Sequence, residues 1–190
     1  MANHVYQYIE IEGNEDAMKA WKLITDAVVK EYKDPERYTE FYPEQFAEYL
    51  GMPEYSEDDS HNWYCDNIGA KWAGIEELSD NCMTMTSAWR PCHEWCEAIA
   101  KYLSKFDPNV RVINSYEDEF FNFVGVSINE KDYDDLDELS WEEIREQRCN
   151  ALDMTVEAYD DDEFEDEDLY DYVEELKQKA RDWLTDENNR

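Results

Sequence analysis

The stretch "PCHEWC", residues 91–96, puts two thiols and an imidazole within six positions, the donor types that bind zinc. Helical spacing argues against a metal site. Cys92 and Cys96 share a stripe with Trp95 and Ile99, where a free cysteine packs as a small apolar side chain, and His93 is turned about 100° away. The five cysteines (Cys65, Cys82, Cys92, Cys96, Cys149) are an odd number in a chain without an export signal, so free thiols are expected. His4, His61 and His93 stand in no nucleophile motif, and no catalytic carboxylate pair can be singled out among 50 acidic residues. A calcium loop starting at Asp160 would need a glycine at its sixth position, where Glu165 stands. The expectation is a protein with no cofactor, no metal and no enzymatic activity. An enzyme whose site is assembled only by folding remains a separate class.

Charge is the outlying property. Seventeen basic residues against 50 acidic ones leave a net charge of −33. That field repels nucleic acid and anionic membranes, so neither is an expected direct partner. From residue 157 to 168 nine of twelve positions are acidic, yet Tyr159 and Phe164 lie inside the run and Leu169 and Tyr172 follow it. A purely solvating tail would lack such aromatics. Double-stranded DNA carries one negative charge per roughly 1.7 Å of axis, and a helix rises about 1.5 Å per residue, so ordered carboxylates can approach that density. Asp160, Asp161, Asp162, Glu163, Glu165, Asp166, Glu167 and Asp168 are therefore the candidate partner-binding set. They would mimic nucleic acid for a basic, nucleic-acid-binding protein. The plain alternative is an acidic solubilising extension.

A second candidate surface is a groove of Lys71, Trp72 and Trp89, with Trp63 converging on it. Burial in the core is the competing role for these tryptophans, since a small sandwich buries its large aromatics. Phe121 and Phe123 alternate as base-stacking residues do, but the net charge opposes RNA binding.

The elements that must position these residues follow from spacing. "HVYQYIEIEG" alternates as a strand, Asn14 is a helix cap, and Ala17, Trp21, Ile24 and Val28 form a helical stripe to about Tyr32. An aromatic-rich insert at 34–62 is expected to hold one short helix after Pro43, with Phe46, Tyr49 and Leu50 inward and Gly51 as its stop. "KWAGIEELSDNCMTMTSAW" reads as a hairpin turning near Asp80 and Asn81. A helix from Pro91 carries Cys92, Trp95, Cys96, Ile99, Leu103 and Phe106 on one face. Two more strands fit 110–116 and 120–128. Ser140 and Glu143 form a capping box for a short helix. A last helix at about 166–185 has a stripe of Leu169, Tyr172, Val173, Leu176, Ala180, Trp183 and Leu184 that must dock on something. The division is a domain at 1–131 and an acidic, mostly helical extension at 132–190. The extension holds 24 acidic and 6 basic residues against 26 and 11 in the longer first part.

Several short pieces, "MANHVYQYIEIEG", "NWYCDNIGAKW", "TSAWRP" and "FFNFVGVSI", resemble in that order a ferredoxin-like domain of phage and plasmid proteins, the YubB or Api group. The matching positions are Ala2, Asn3, His4, Gly69, Lys71, Trp72, Ala88, Trp89 and Pro91, within residues 1–130. The resemblance implies an α+β ferredoxin-like sandwich, an antiparallel sheet with helices on one face, and an origin on a mobile element. It implies no activity. Region 132–190 lies outside it.

No apolar run approaches the roughly 20 residues needed to span a bilayer, and the first residues lack the pattern of a signal peptide. The expected location is the host cytoplasm. The expected function is binding, and with it inhibition, of a basic nucleic-acid-binding host protein of a defence system, such as an anti-CRISPR or anti-restriction role. A regulatory or structural module using the aromatic groove is the alternative. Oligomeric state is left open, a homodimer being one form.

Overall fold

The computed structural model describes residues 3–32, 41–119, 123–129, 131–133 and 167–186. Strand β1 (His4–Glu12) buries Val5, Gln7, Ile9 and Ile11 and turns the alternate residues away. Asn14 then caps helix α1 (Glu15–Tyr32), its side-chain oxygen accepting the N–H groups of Asp16 and Ala17 at 3.0 Å each. Ala17, Trp21, Ile24 and Val28 are buried, as their spacing predicts.

A 3₁₀ turn (Pro43–Phe46) runs into the single-turn helix α2 (Ala47–Leu50), which stops at Gly51 in the left-handed conformation, φ 72°. Phe46 and Leu50 point inward. Tyr49 does not: four residues make one turn, and Tyr49 lies about 100° round from Leu50, facing a surface groove beside Leu23 and Phe106. A further helix, α3 (Ser60–Asn67), follows a 3₁₀ turn (Glu57–Asp59) where sequence reading expected none. Its buried residues, Trp63 and Tyr64, are adjacent and form no stripe.

Strands β2 (Lys71–Leu78) and β3 (Cys82–Ala88) form the expected hairpin. Helix α4 (His93–Leu103) buries Trp95, Cys96, Ile99 and Leu103, with Cys92 buried just ahead of it. It ends before Phe106, which is exposed and stands against Tyr102 instead of continuing the stripe. Strands β4 (Arg111–Asp118), β5 (Val124–Ile128) and β6 (Lys131–Tyr133) complete the sheet, and helix α5 spans Glu167–Thr185. The expected helix after Ser140 lies outside the described residues.

The result is an α+β fold. Its antiparallel sheet has the order β2-β3-β1-β4-β5-β6, and its first four strands with α1 and α4 are consistent with a ferredoxin-like sandwich. The main core lies between one sheet face and α1, α2, α3 and α4, around Trp21 stacked on Phe46 at 6.0 Å and Trp95 edge-on to Phe46 at 5.5 Å. Within it Gln7 accepts the Cys92 N–H at 2.7 Å and the Asn114 amide at 3.0 Å, and donates to Ser87 at 3.0 Å. This network fixes the start of α4 on the sheet.

The helices are not confined to one face. Ala180 and Leu184 of α5 pack on Ile113 and Val126. In β1 and β4 the residues that meet α5 alternate with those that meet α1 and α4, so α5 covers the opposite side of the sheet. Its cations grip acidic strand residues there: Lys177 pairs with Glu117 at 2.5 Å and Arg181 with Glu10 at 2.7 Å. Val173, Ala180 and Leu184 are buried as expected, while Trp183 is exposed. No described helix is long and apolar enough to cross a membrane.

Candidate functional site

Three short sequence pieces far apart in the chain meet at one corner of the sheet. His4 on β1 pairs with Ala88 on β3, and Ala88 pairs with Lys71 on β2, so the register sets them in one row. The chain leaves that row on both sides through a tryptophan. Trp72 (φ 50°) sits where the β2–β3 register shifts between Lys71 and Gly74, and Trp89 (φ 65°) follows the last residue of β3. Bulky residues rarely adopt positive φ, at a cost on the order of 1–3 kcal/mol each, and they persist there only where the surroundings enforce it. For Trp89 the enforcement is visible. Its N–H donates to the Asn3 carbonyl at 3.0 Å, the Ser87 hydroxyl donates to the Arg90 carbonyl at 2.7 Å, and Pro91 is buried beyond.

The consequence is exposure. Trp72 is 71% and Trp89 45% accessible, their ring centroids are 5.5 Å apart at a tilt of 43°, and the Lys71 ammonium lies 5.4 Å from the Trp89 ring centre. The core role that competed for these two residues is excluded. Trp63 does take it: the side chain is buried, with its indole N–H donating to the Pro53 carbonyl at 3.0 Å, and it does not converge on the other two. Gly69, which precedes this corner, has φ 91°, a conformation that favours glycine, and a Cβ there would run into the Glu94 carboxylate.

Beside Trp72 the surface sinks into a pocket of about 480 Å³ whose lining includes Tyr42, Glu44, Tyr55, Tyr64, Lys71 and Trp72. At its base the Tyr64 hydroxyl donates a short hydrogen bond to the Glu44 carboxylate. Burial pushes the Glu44 carboxyl above its ordinary range, with the Tyr64 bond pulling the other way. Burial, followed by the charge of Glu44, drives the Tyr64 phenol upward. A phenol held protonated is a hydrogen-bond donor and a poor base. Tyr55 stands edge-on to Trp63 at 5.3 Å and to Tyr64 at 6.3 Å, closing one wall.

Sequence reasoning picked Lys71, Trp72 and Trp89 and missed Glu44, Tyr55 and Tyr64. Asp160, Asp161, Asp162, Glu163, Glu165 and Asp166 lie outside the described residues. Glu167 opens α5, followed by Asp168. Phe121 is also outside, and Phe123 precedes β5 and packs on Tyr116 at 6.2 Å. His93 stacks edge-on to Tyr116 at 5.3 Å and reaches the Ser127 hydroxyl at 3.3 Å, a packing position. Burial pushes the Cys92 thiol up to about 11. Among the described residues no three His, Cys, Asp or Glu side chains are grouped to hold a metal ion. Comparison with protein-family models, with curated proteins and with solved structures found no match.

Proposed function

We propose that this protein is a non-catalytic binding module that docks a basic protein partner on the Trp72–Trp89 corner. The observation that supports this reading is the exposure of two adjacent indoles on strained backbone. Paired surface tryptophans sacrifice both burial and conformational ease, and tryptophan is among the residues that most often carry interface energy. The net charge of −33 selects a basic partner and speeds its approach. The resemblance of residues 1–130 to the YubB or Api group favours the ferredoxin-like assignment and a phage or plasmid setting, with a host cytoplasmic protein as the target.

A second reading rests on the acidic run at 157–168: the partner is a nucleic-acid-binding defence protein, and the run occupies its phosphate-binding surface as a decoy. The two readings part on salt. Partner capture from host lysate would be compared at about 0.1 M and 1 M salt, where the Debye length falls from about 10 Å to about 3 Å. Docking on the tryptophans predicts capture that slows and weakens with salt but persists at about 1 M, and that falls by about 2 kcal/mol, roughly 30-fold, in Trp89→Ala. Mimicry predicts capture that collapses with salt, competes with DNA or RNA, and is lost when the run is changed to Asn and Gln. Capture indifferent to both sets of substitutions would defeat both readings.

A further inference from the structure

The geometry points to the pocket beside Trp72 as a receptor for a protonated Lys or Arg side chain, with Glu44 as counter-charge and the rings of Tyr42, Tyr55, Tyr64 and Trp72 as walls. The argument starts from what the pocket lacks. Glu44 is the carboxylate in its lining, half-buried, and among the described residues no Lys or Arg pairs with it; its polar partner there is the Tyr64 hydroxyl. A carboxylate partly withdrawn from water without a cation gains from one that enters the site. Lys71 also lines the pocket, but its ammonium lies 5.4 Å from the Trp89 ring centre and makes no ion pair with Glu44.

Aromatic walls suit the same guest. Ring faces carry negative potential that attracts ammonium and guanidinium groups, more strongly once water is displaced. They also accept the apolar stem of a Lys or Arg chain. At about 480 Å³ the pocket has room for one such side chain and its neighbouring backbone. The surrounding charge of −33 raises the local concentration of any cation. This assignment rests on the docking reading above for its biological source, because it names what the partner would insert next to Trp72, but the pocket chemistry can be tested without that partner.

The experiment titrates full-length protein with three capped tripeptides, Gly-Lys-Gly, Gly-Arg-Gly and Gly-norleucine-Gly, and follows the side-chain indole N–H signals by NMR. The expected result is a perturbation at Trp72 with at least tenfold tighter binding of one cationic peptide than of the norleucine peptide, and at least a tenfold loss in Glu44→Gln. The Lys and Arg arms decide which cation the walls prefer. Glu48→Gln removes the same charge from an exposed site on the next turn and is expected to leave affinity unchanged. Glu44→Gln should fold at least as stably as wild type at neutral pH, since it deletes a carboxylate whose charged form burial disfavours. Equal binding of the norleucine peptide, or equal losses in Glu44→Gln and Glu48→Gln, would overturn the assignment. Trp89 does not line the pocket. Peptide binding intact in Trp89→Ala with partner capture also intact would remove the docking reading while leaving the pocket; the reverse pattern would remove the pocket alone.

Discussion

The two faces of the sheet are closed by different chemistry. On one, α1 (Glu15–Tyr32) and α4 (His93–Leu103) bury Trp21, Ile24, Trp95, Ile99 and Leu103 in an apolar layer. On the other, the described side chains of α5 (Glu167–Thr185) bury Val173, Ala180 and Leu184 and lay Lys177 and Arg181 across Glu117, Glu10 and Glu12. A chain with 17 cations among 50 acids thus uses two of them to hold one helix. The first face depends on shape, the second on charge, and they should fail under different conditions.

The largest effect is expected on the apolar face. Trp95 is fully buried against Phe46, so Trp95→Ala removes an indole and leaves a cavity, which costs about 3–5 kcal/mol. Urea unfolding would measure it. A loss under 1 kcal/mol would mean the core is not organised around the Phe46 contact.

Lys177→Ala comes next. It strands the Glu117 carboxylate, whose side chain is only 16% exposed, beneath α5. Breaking such a pair from one side costs roughly 3 kcal/mol, whereas replacing both partners with apolar residues of similar size is near neutral. If the single and the double replacements destabilise equally, packing and not charge holds α5.

Much of this was legible beforehand, and the reasons are local. Asn14 before a 3.6-residue stripe announces α1, and alternation through Met83 and Met85 announces β3, because period and capping are written in neighbouring residues. Helix α3 was missed because its two buried side chains are adjacent and trace no face. The corner was half legible: Lys71, Trp72 and Trp89 could be named as a group, but their exposure depends on positive φ at two non-glycine residues and on a register shift, which no periodicity encodes. Glu44 was invisible among 50 acids, since only its placement under Tyr64 distinguishes it.

A pH experiment sharpens the contrast between the faces. Burial would lower the Lys177 pKa, but Glu117 and then Glu174 outweigh it, and the net shift is upward. A raised folded-state pKa contributes stability that is complete below the ordinary lysine value of about 10.4 and is lost as pH rises through the raised one. Amide exchange in α5 should therefore accelerate in strong alkali before that of α4. The Tyr8 phenol, on the same face as α5, is pushed up to about 12, first by its hydrogen bond with Cys82, and so titrates late. In Lys177→Met the alkaline step should shrink to the part that Tyr8 contributes over the same range. Parallel loosening of α4 and α5 would place the sensitive group elsewhere.

The smallest effect on stability is expected at the corner, and its smallness is the point. Trp72 contributes little burial, being 71% accessible, while its backbone at φ 50° is a conformation that glycine adopts freely. Trp72→Gly loses a partial contact with Trp89 and gains relief from strain on the order of 1 kcal/mol, offset by the added freedom of the unfolded chain. The melting temperature should change by no more than a few degrees in either direction. Trp72→Ala keeps the strain and forfeits the ring, so it should be the less stable of the two. A residue held in an unfavourable conformation for packing would instead make both replacements strongly destabilising. Glycine being tolerated while partner capture fails is the pattern of a side chain kept for what it touches outside the fold.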